Sequence, residues 1–190
     1  MAKTILGNKL VNGLNGGTDS TQNMTNFVNI IADFISTNVT LIGVFNGVTT
    51  SVPPTPSGPI ATNDAVDSSL LKNQVVSCAP PSEGSDGIAE WIAWITSLYT
   101  LISTTVMYKG TVSIPISPLP AFPTMIVPSW SRNDLRNVVE NGSNDVQGDC
   151  MDVIANGIVN DLKTCFLPTI PATVAAFTGA TVINSVNVIN

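Results

Sequence analysis

The chain has 190 residues, a net charge of −6 and no histidine, and only 11% of it is charged although 44% is hydrophobic. Without histidine it lacks the usual general base, the commonest metal ligand and the usual proton shuttle. Its Lys and Arg are scattered at positions 3, 9, 72, 109, 132, 136 and 163, so no basic patch exists to neutralise phosphates and nucleic-acid contact is not expected.

The length fits one domain with an arm. A mean hydropathy of +0.32 with so little charge leaves few residues for the charged, mixed surface of a free monomer. The composition therefore points to a chain that buries surface against partners. Met1–Gly17 carries lysine but no apolar h-region, so cytoplasmic synthesis is expected. Cys78, Cys150 and Cys165 form no C-x-x-C pair and are read as small buried hydrophobes, with an intermolecular disulfide as the other reading.

In chain order, residues 1–19 are rich in Gly and Asn and are read as an extended arm, followed by a single α+β domain over 20–190. Met24, Phe27, Val28, Ile31, Phe34 and Ile35 mark one face of a helix that starts at Ser20 or Thr21 and ends near Ser36–Asn38. Val39–Phe45 and Val48–Val52 flank Asn46-Gly47 as a predicted hairpin. A Pro-rich connector follows at about 53–63, then a short helix over Asp64–Lys72 and a strand over Gln74–Cys78. A second helix begins near Ser85 or Asp86, with Ile88, Trp91, Ile92, Ile95, Leu98, Tyr99 and Ile102 in its stripe; Trp94 and Leu101 lie off that stripe and make the helix apolar nearly all round. Thr104–Tyr108 and Thr111–Ile116 flank Lys109-Gly110, and a second Pro-rich connector covers about 115–128. Ser131 is the expected N-cap of a short helix, with Asp134 at N3 and a Trp130–Leu135 staple, stopped at Asn141-Gly142. A further helix spans about Asn144–Phe166, and Thr173–Phe177 and Ala180–Val188 flank Thr178-Gly179 as a last hairpin. The helix–strand–x-Gly–strand order recurs three times, but the intervals differ and the residues align poorly, as convergence through biased composition would give.

The expected fold is α+β: three longer helices packed on antiparallel β-hairpins. Met24, Phe27, Ile31, Phe34, Trp91, Ile95, Leu98, Val153, Ile154, Ile158 and Leu162 should supply the core.

Chemistry finds little support. No Ser-His-Asp or Cys-His set is possible. Lys72 near Ser68 and Ser69 has spacings ordinary for a solvated helix. Asp145, Asp149 and Asp152 fall at i, i+4 and i+7 on one helix face, a row a divalent cation could use, but a polar face with acids favoured near a helix N-terminus is the usual explanation and the one taken. Gly13–Gly17 lacks the Lys-Ser/Thr of a P-loop. No cofactor, metal site or catalytic residue is assigned. Trp91–Tyr108 is uncharged over a length near the lower limit for a spanning helix, but its Ser and Thr content and β-branched second half argue for burial instead. The candidate interface residues are Trp91, Trp94, Leu101, Pro118, Pro120 and Trp130.

The low charge, the abundance of Thr, Val, Asn and Gly, the Pro-rich linkers and the loose arm resemble virion proteins of tailed bacteriophages, such as neck, tail, baseplate and head-decoration subunits. Met1–Asp19, Phe27–Val52 with its Pro tail, and Ile154–Val188 carry this resemblance. It implies a non-enzymatic subunit of the virion, assembled as a ring or lattice with copies of itself and other virion proteins. Strands would add to neighbouring sheets. A membrane-associated chain and a small binding module or enzyme are the alternatives.

Overall fold

The computed structural model describes residues 3–14, 20–76, 87–110, 119–125, 132–141, 144–174 and 176–190. Its elements in order are α1 (Ile5–Leu14), α2 (Ser20–Asn38), β1 (Val39–Thr49), β2 (Ile60–Asp67), α3 (Gly87–Thr105), β3 (Met107–Lys109), α4 (Arg132–Glu140), α5 (Val146–Thr164), β4 (Thr169–Val174) and β5 (Phe177–Val188). The strands form one antiparallel sheet in the order β3-β2-β1-β5-β4. The α+β class is therefore correct. The three longer helices, α2, α3 and α5, have 19 residues each.

One core joins the helices to the inner face of the sheet. Along β1 the inward residues Val39, Leu41 and Phe45 alternate with outward Thr40, Ile42 and Val44, the period of two that a sheet covered on one face requires. Phe27, Ile31, Phe34 and Ile35 of α2, Ile95, Leu98 and Ile102 of α3, and Ile154, Ile158 and Leu162 of α5 are all fully buried against it. Each such side chain contributes about 1.5–3 kcal/mol on burial. Phe45 and Ala172, with Phe177 beside them, form a small separate cluster toward the far end of the sheet.

Several local expectations are overturned. The extended arm contains the helix α1, whose Leu6 and Leu10 are fully buried and which packs along α5 and α2. Its stability is tertiary: the amide of Leu6 donates to Asn190 Oδ1 at 2.9 Å, and that of Gly7 to Thr4 Oγ1 at 3.0 Å. First-turn donors that lack helical partners are thus satisfied, one of them from the distant end of the chain.

Asn46-Gly47 and Thr178-Gly179 are not turns. β1 and β5 run straight through them, and Gly47 stands in register with Gly179. The two glycines serve close approach. A Cβ on Gly179 would strike the carbonyl oxygen of Asn46 and come within 2.5 Å of Gly47 Cα, and one on Gly47 would come within 2.5 Å of the Phe45 ring. The β1–β2 connection instead turns within the Pro-rich segment. Thr49 N–H donates to the Thr55 carbonyl at 2.8 Å, and Ser57 N–H to the Gly47 carbonyl at 2.8 Å. The 60–63 part of the predicted connector is strand, and 64–67 is strand rather than helix, followed by a single 3-10 turn over Ser69–Leu71. Residues 74–76 are irregular.

Thr104 and Thr105 are helical, not the start of a strand. The hydroxyls of Thr96, Thr100, Thr104 and Thr105 each donate to the carbonyl four residues back, which lets a β-branched run end a helix. Asp145 caps α5, accepting from the Gly148 amide at 3.0 Å. The Ser131 cap, the Trp130 staple, the 111–116 strand and Cys78 lie outside the described residues.

Candidate functional site

The sequence carries no charged residue from Phe34 through Asn63 and none from Thr164 through Asn190. These two stretches are far apart in the chain. The fold makes them neighbours, since they supply β1, the first half of β2, β4 and β5. Their outward residues form continuous rungs. Ala61, Val44, Val182 and Thr169 cross four strands in register; Asn46, Ala180 and Pro171 form the next rung, and Val48, Thr178 and Thr173 the one after. Ile42 lies between Asn63 and Ser185. Ile42 is 40% exposed, Val182 42% and Val48 47%. A helix layer covers the opposite face. Among the described strands, Asp67 on β2 and Lys109 on β3 are the charges on the outward face, both at its margin, where Lys109 stands in register with Ala65 and Asp67 with Met107.

Both ends of this sheet are protected against further strands. Beyond β3, Tyr108 N–H donates to the Leu119 carbonyl at 3.0 Å and Ala121 N–H to the Val106 carbonyl at 2.9 Å. Ala121 in turn accepts from the Leu167 amide at 2.9 Å, so the sheet curls toward closure there. At the other end, β4 carries Pro171 in its middle, which has no amide to offer an added strand.

The sequence-predicted interface residues are elsewhere. Trp91 and Trp94 are half-buried and stack within the chain: the Phe27 and Trp91 rings meet edge to face at 5.6 Å, and Trp91 and Trp94 at 5.2 Å. Leu101 lines a shallow groove with Val75, Val76, Ser97 and Thr100. Pro120 is half-buried and bridges to Met107. Pro118 and Trp130 lie outside the described residues.

A cleft of about 470 Å³ opens between α1, α4 and α5, lined by Lys3, Thr4, Asn137, Asn141, Asp149, Asp152 and Asn156 among others. Its polar groups have structural duties. Asp152 accepts from the Lys3 amide at 2.6 Å, the Thr4 amide at 3.0 Å and the Thr4 hydroxyl at 2.6 Å. Burial would raise the Asp152 carboxyl, but these donors and the Lys3 charge outweigh it and hold the group below its ordinary value. Asp149 pairs with Lys3 at 3.8 Å. The acidic row is thus divided between a helix cap, an ion pair and an anchor. Among the described residues no group of three or more Cys, Asp and Glu is placed to hold a metal ion. Lys72 pairs with Asp33 at 2.5 Å, while Ser68 donates to the Ala32 carbonyl at 2.6 Å, so neither serves the other.

The chain has two tyrosines, and both donate to buried aspartates. Tyr99 on α3 reaches Asp161 on α5 at 2.5 Å. Tyr108 reaches Asp64, and its phenol folds over Gly110, where any side chain would collide with it. Sequence patterning gave Gly110 as a turn residue and left both pairs undetected, because they join residues distant in the chain. Burial first, then the Asp64 carboxyl, push the Tyr108 phenol far above its ordinary value, against a smaller opposing effect of Thr181. Burial and then Asp149 raise the half-buried Cys150 thiol, which makes it a poor nucleophile.

No helix among the described residues is long and apolar enough to cross a membrane. No family model matches the chain, and no curated protein or solved structure matches it.

Proposed function

We propose that this chain is a non-enzymatic structural subunit of a large homo-oligomeric assembly, of the kind that builds tailed-bacteriophage virions. The observation that carries this reading is the outward face of the sheet. It is free of charge over β1, β4, β5 and the Ile60–Asn63 half of β2, with Asp67 and Lys109 only at its margin, and it exposes Ile42, Val48 and Val182, on a chain whose net charge is −6. A free monomer has no use for such a face, whereas a subunit covers it. The resemblance in composition to neck, tail, baseplate and decoration subunits supplies the setting.

The test is the oligomeric state of the purified full chain, by sedimentation velocity and negative-stain electron microscopy. A particle of defined copy number and symmetry is expected. A monomer at micromolar concentration would sink the proposal.

A further inference from the structure

We infer that a second copy of this chain docks on the outward face of β1, β2, β5 and β4, face to face rather than by strand addition. This rests on the assembly reading above and names one of its contacts, the two-fold one.

Three observations lead to it. Strand addition is blocked at both ends, by the Leu119–Ala121 segment on β3 and by Pro171 on β4. The available surface is therefore a face. That face is large enough: β1, β2, β5 and β4, with 11, 8, 12 and 6 residues, cover about 590 Å² at a rise of about 3.3 Å per residue and a strand spacing of about 4.8 Å. Two such faces together bury about 1,200 Å², at the lower end of the range of a specific interface.

Charge selects the occupant. A second copy also carries −6, and two like-charged chains meet most easily where neither presents a charge. The rungs Ala61–Val44–Val182–Thr169 and Asn46–Ala180–Pro171 meet that condition. A strongly charged partner finds nothing there to pair with. The Thr, Ser and Asn side chains between the apolar ones, among them Thr178, Ser185 and Asn63, act as both donors and acceptors, so an identical face satisfies them. Two twisted sheets packed this way lie about 10 Å apart with an isologous contact.

The experiment compares the full chain with Ile42→Lys and Val182→Lys, using Asn160→Lys, at an exposed position of the otherwise largely buried α5, as a charge control. Each sheet variant places an ammonium in the contact, so its dissociation constant should rise about a hundredfold or more, with far-UV circular dichroism unchanged and the control still assembled. A wild-type chain that is monomeric refutes the assembly reading itself. A wild-type oligomer that survives both sheet substitutions refutes only this contact. Carbene footprinting of the wild-type chain reads the same face without any substitution. Ile42 and Val182 should be protected in the assembly and become labelled on dilution, and labelling that does not change would overturn the inference.

Discussion

Replacing Asp152 with alanine should release the first helix. The carboxylate accepts three hydrogen bonds from Lys3 and Thr4, and Thr4 in turn caps α1 through the Gly7 amide. Hydrogen bonds to a charged acceptor are worth about 1.5–3 kcal/mol each, but three that share one carboxylate do not add. Loosening α1 also draws Leu6 and Leu10 out of the core, at about 1.5–3 kcal/mol each if fully exposed. Only partial exposure is expected while Asn190 still holds the Leu6 amide. The net loss should be about 2–4 kcal/mol, read as a lower urea midpoint at fixed protein concentration, with hydrogen-exchange protection falling first in residues 6–14. The pH dependence follows in sign. The folded carboxyl is held below the ordinary 3.8, so on acidification the unfolded chain takes up the proton first. The contribution is complete above about pH 4 and is lost as pH falls below that toward the folded value. Asp152→Asn should flatten this acid limb. A midpoint shift below about 0.5 kcal/mol with unchanged exchange in α1 would refute the anchoring argument.

Gly179→Ala should destabilise the chain by about 1–3 kcal/mol, because the new methyl falls on the β1 backbone at Asn46 and Gly47; an unchanged melting temperature would show that the strands do not approach so closely. In an ultraviolet titration, the difference between wild type and Tyr108→Phe should show no phenol ionising near the ordinary value of 10, since the folded group is raised well above it. The neutral phenol therefore stabilises the fold below pH 10, and that contribution fades as pH rises beyond it. Salt should affect the proposed sheet contact only weakly. Sheet and helix layers of about 10 Å each place most helical charges of the two copies more than a Debye length of about 8 Å apart. A steep salt dependence of assembly would locate the contact on the helices instead.

The three long helices were legible because their apolar residues repeat at the helical period. For α5, the Asp145 cap and a following Pro168 also mark the ends locally. α1 was not legible. Ile5, Leu6, Leu10, Val11 and Leu14 are interrupted by Gly7, Asn8 and Gly13, and the groups that hold it, Asp152 and Asn190, come from the far end of the chain. The two glycine errors share one cause. A glycine after Asn or Thr between β-branched runs signals a turn when the backbone needs positive φ. Gly47 and Gly179 are needed because two strands and a phenylalanine ring crowd one spot, and that requirement leaves no local trace.

The candidate site divides in the same way. Charge depletion could be counted in the sequence, and it pointed to buried surface. Its location could not, because each charge-free stretch taken alone is only a helix end and a hairpin. The second helix is apolar nearly all round, and part of that surface is met within the chain, where Phe27 of α2 packs against the half-buried Trp91 and Trp94. Register supplies the missing step: Val44 beside Val182 joins the strands of the two charge-free stretches in one sheet, while Asp149 and Asp152 of α5 stay on the helical side, engaged with the residues that lead into α1. By sorting its few charges in this way, the fold leaves the centre of the outward sheet face uncharged, and that is the surface on which the proposed contact between copies depends.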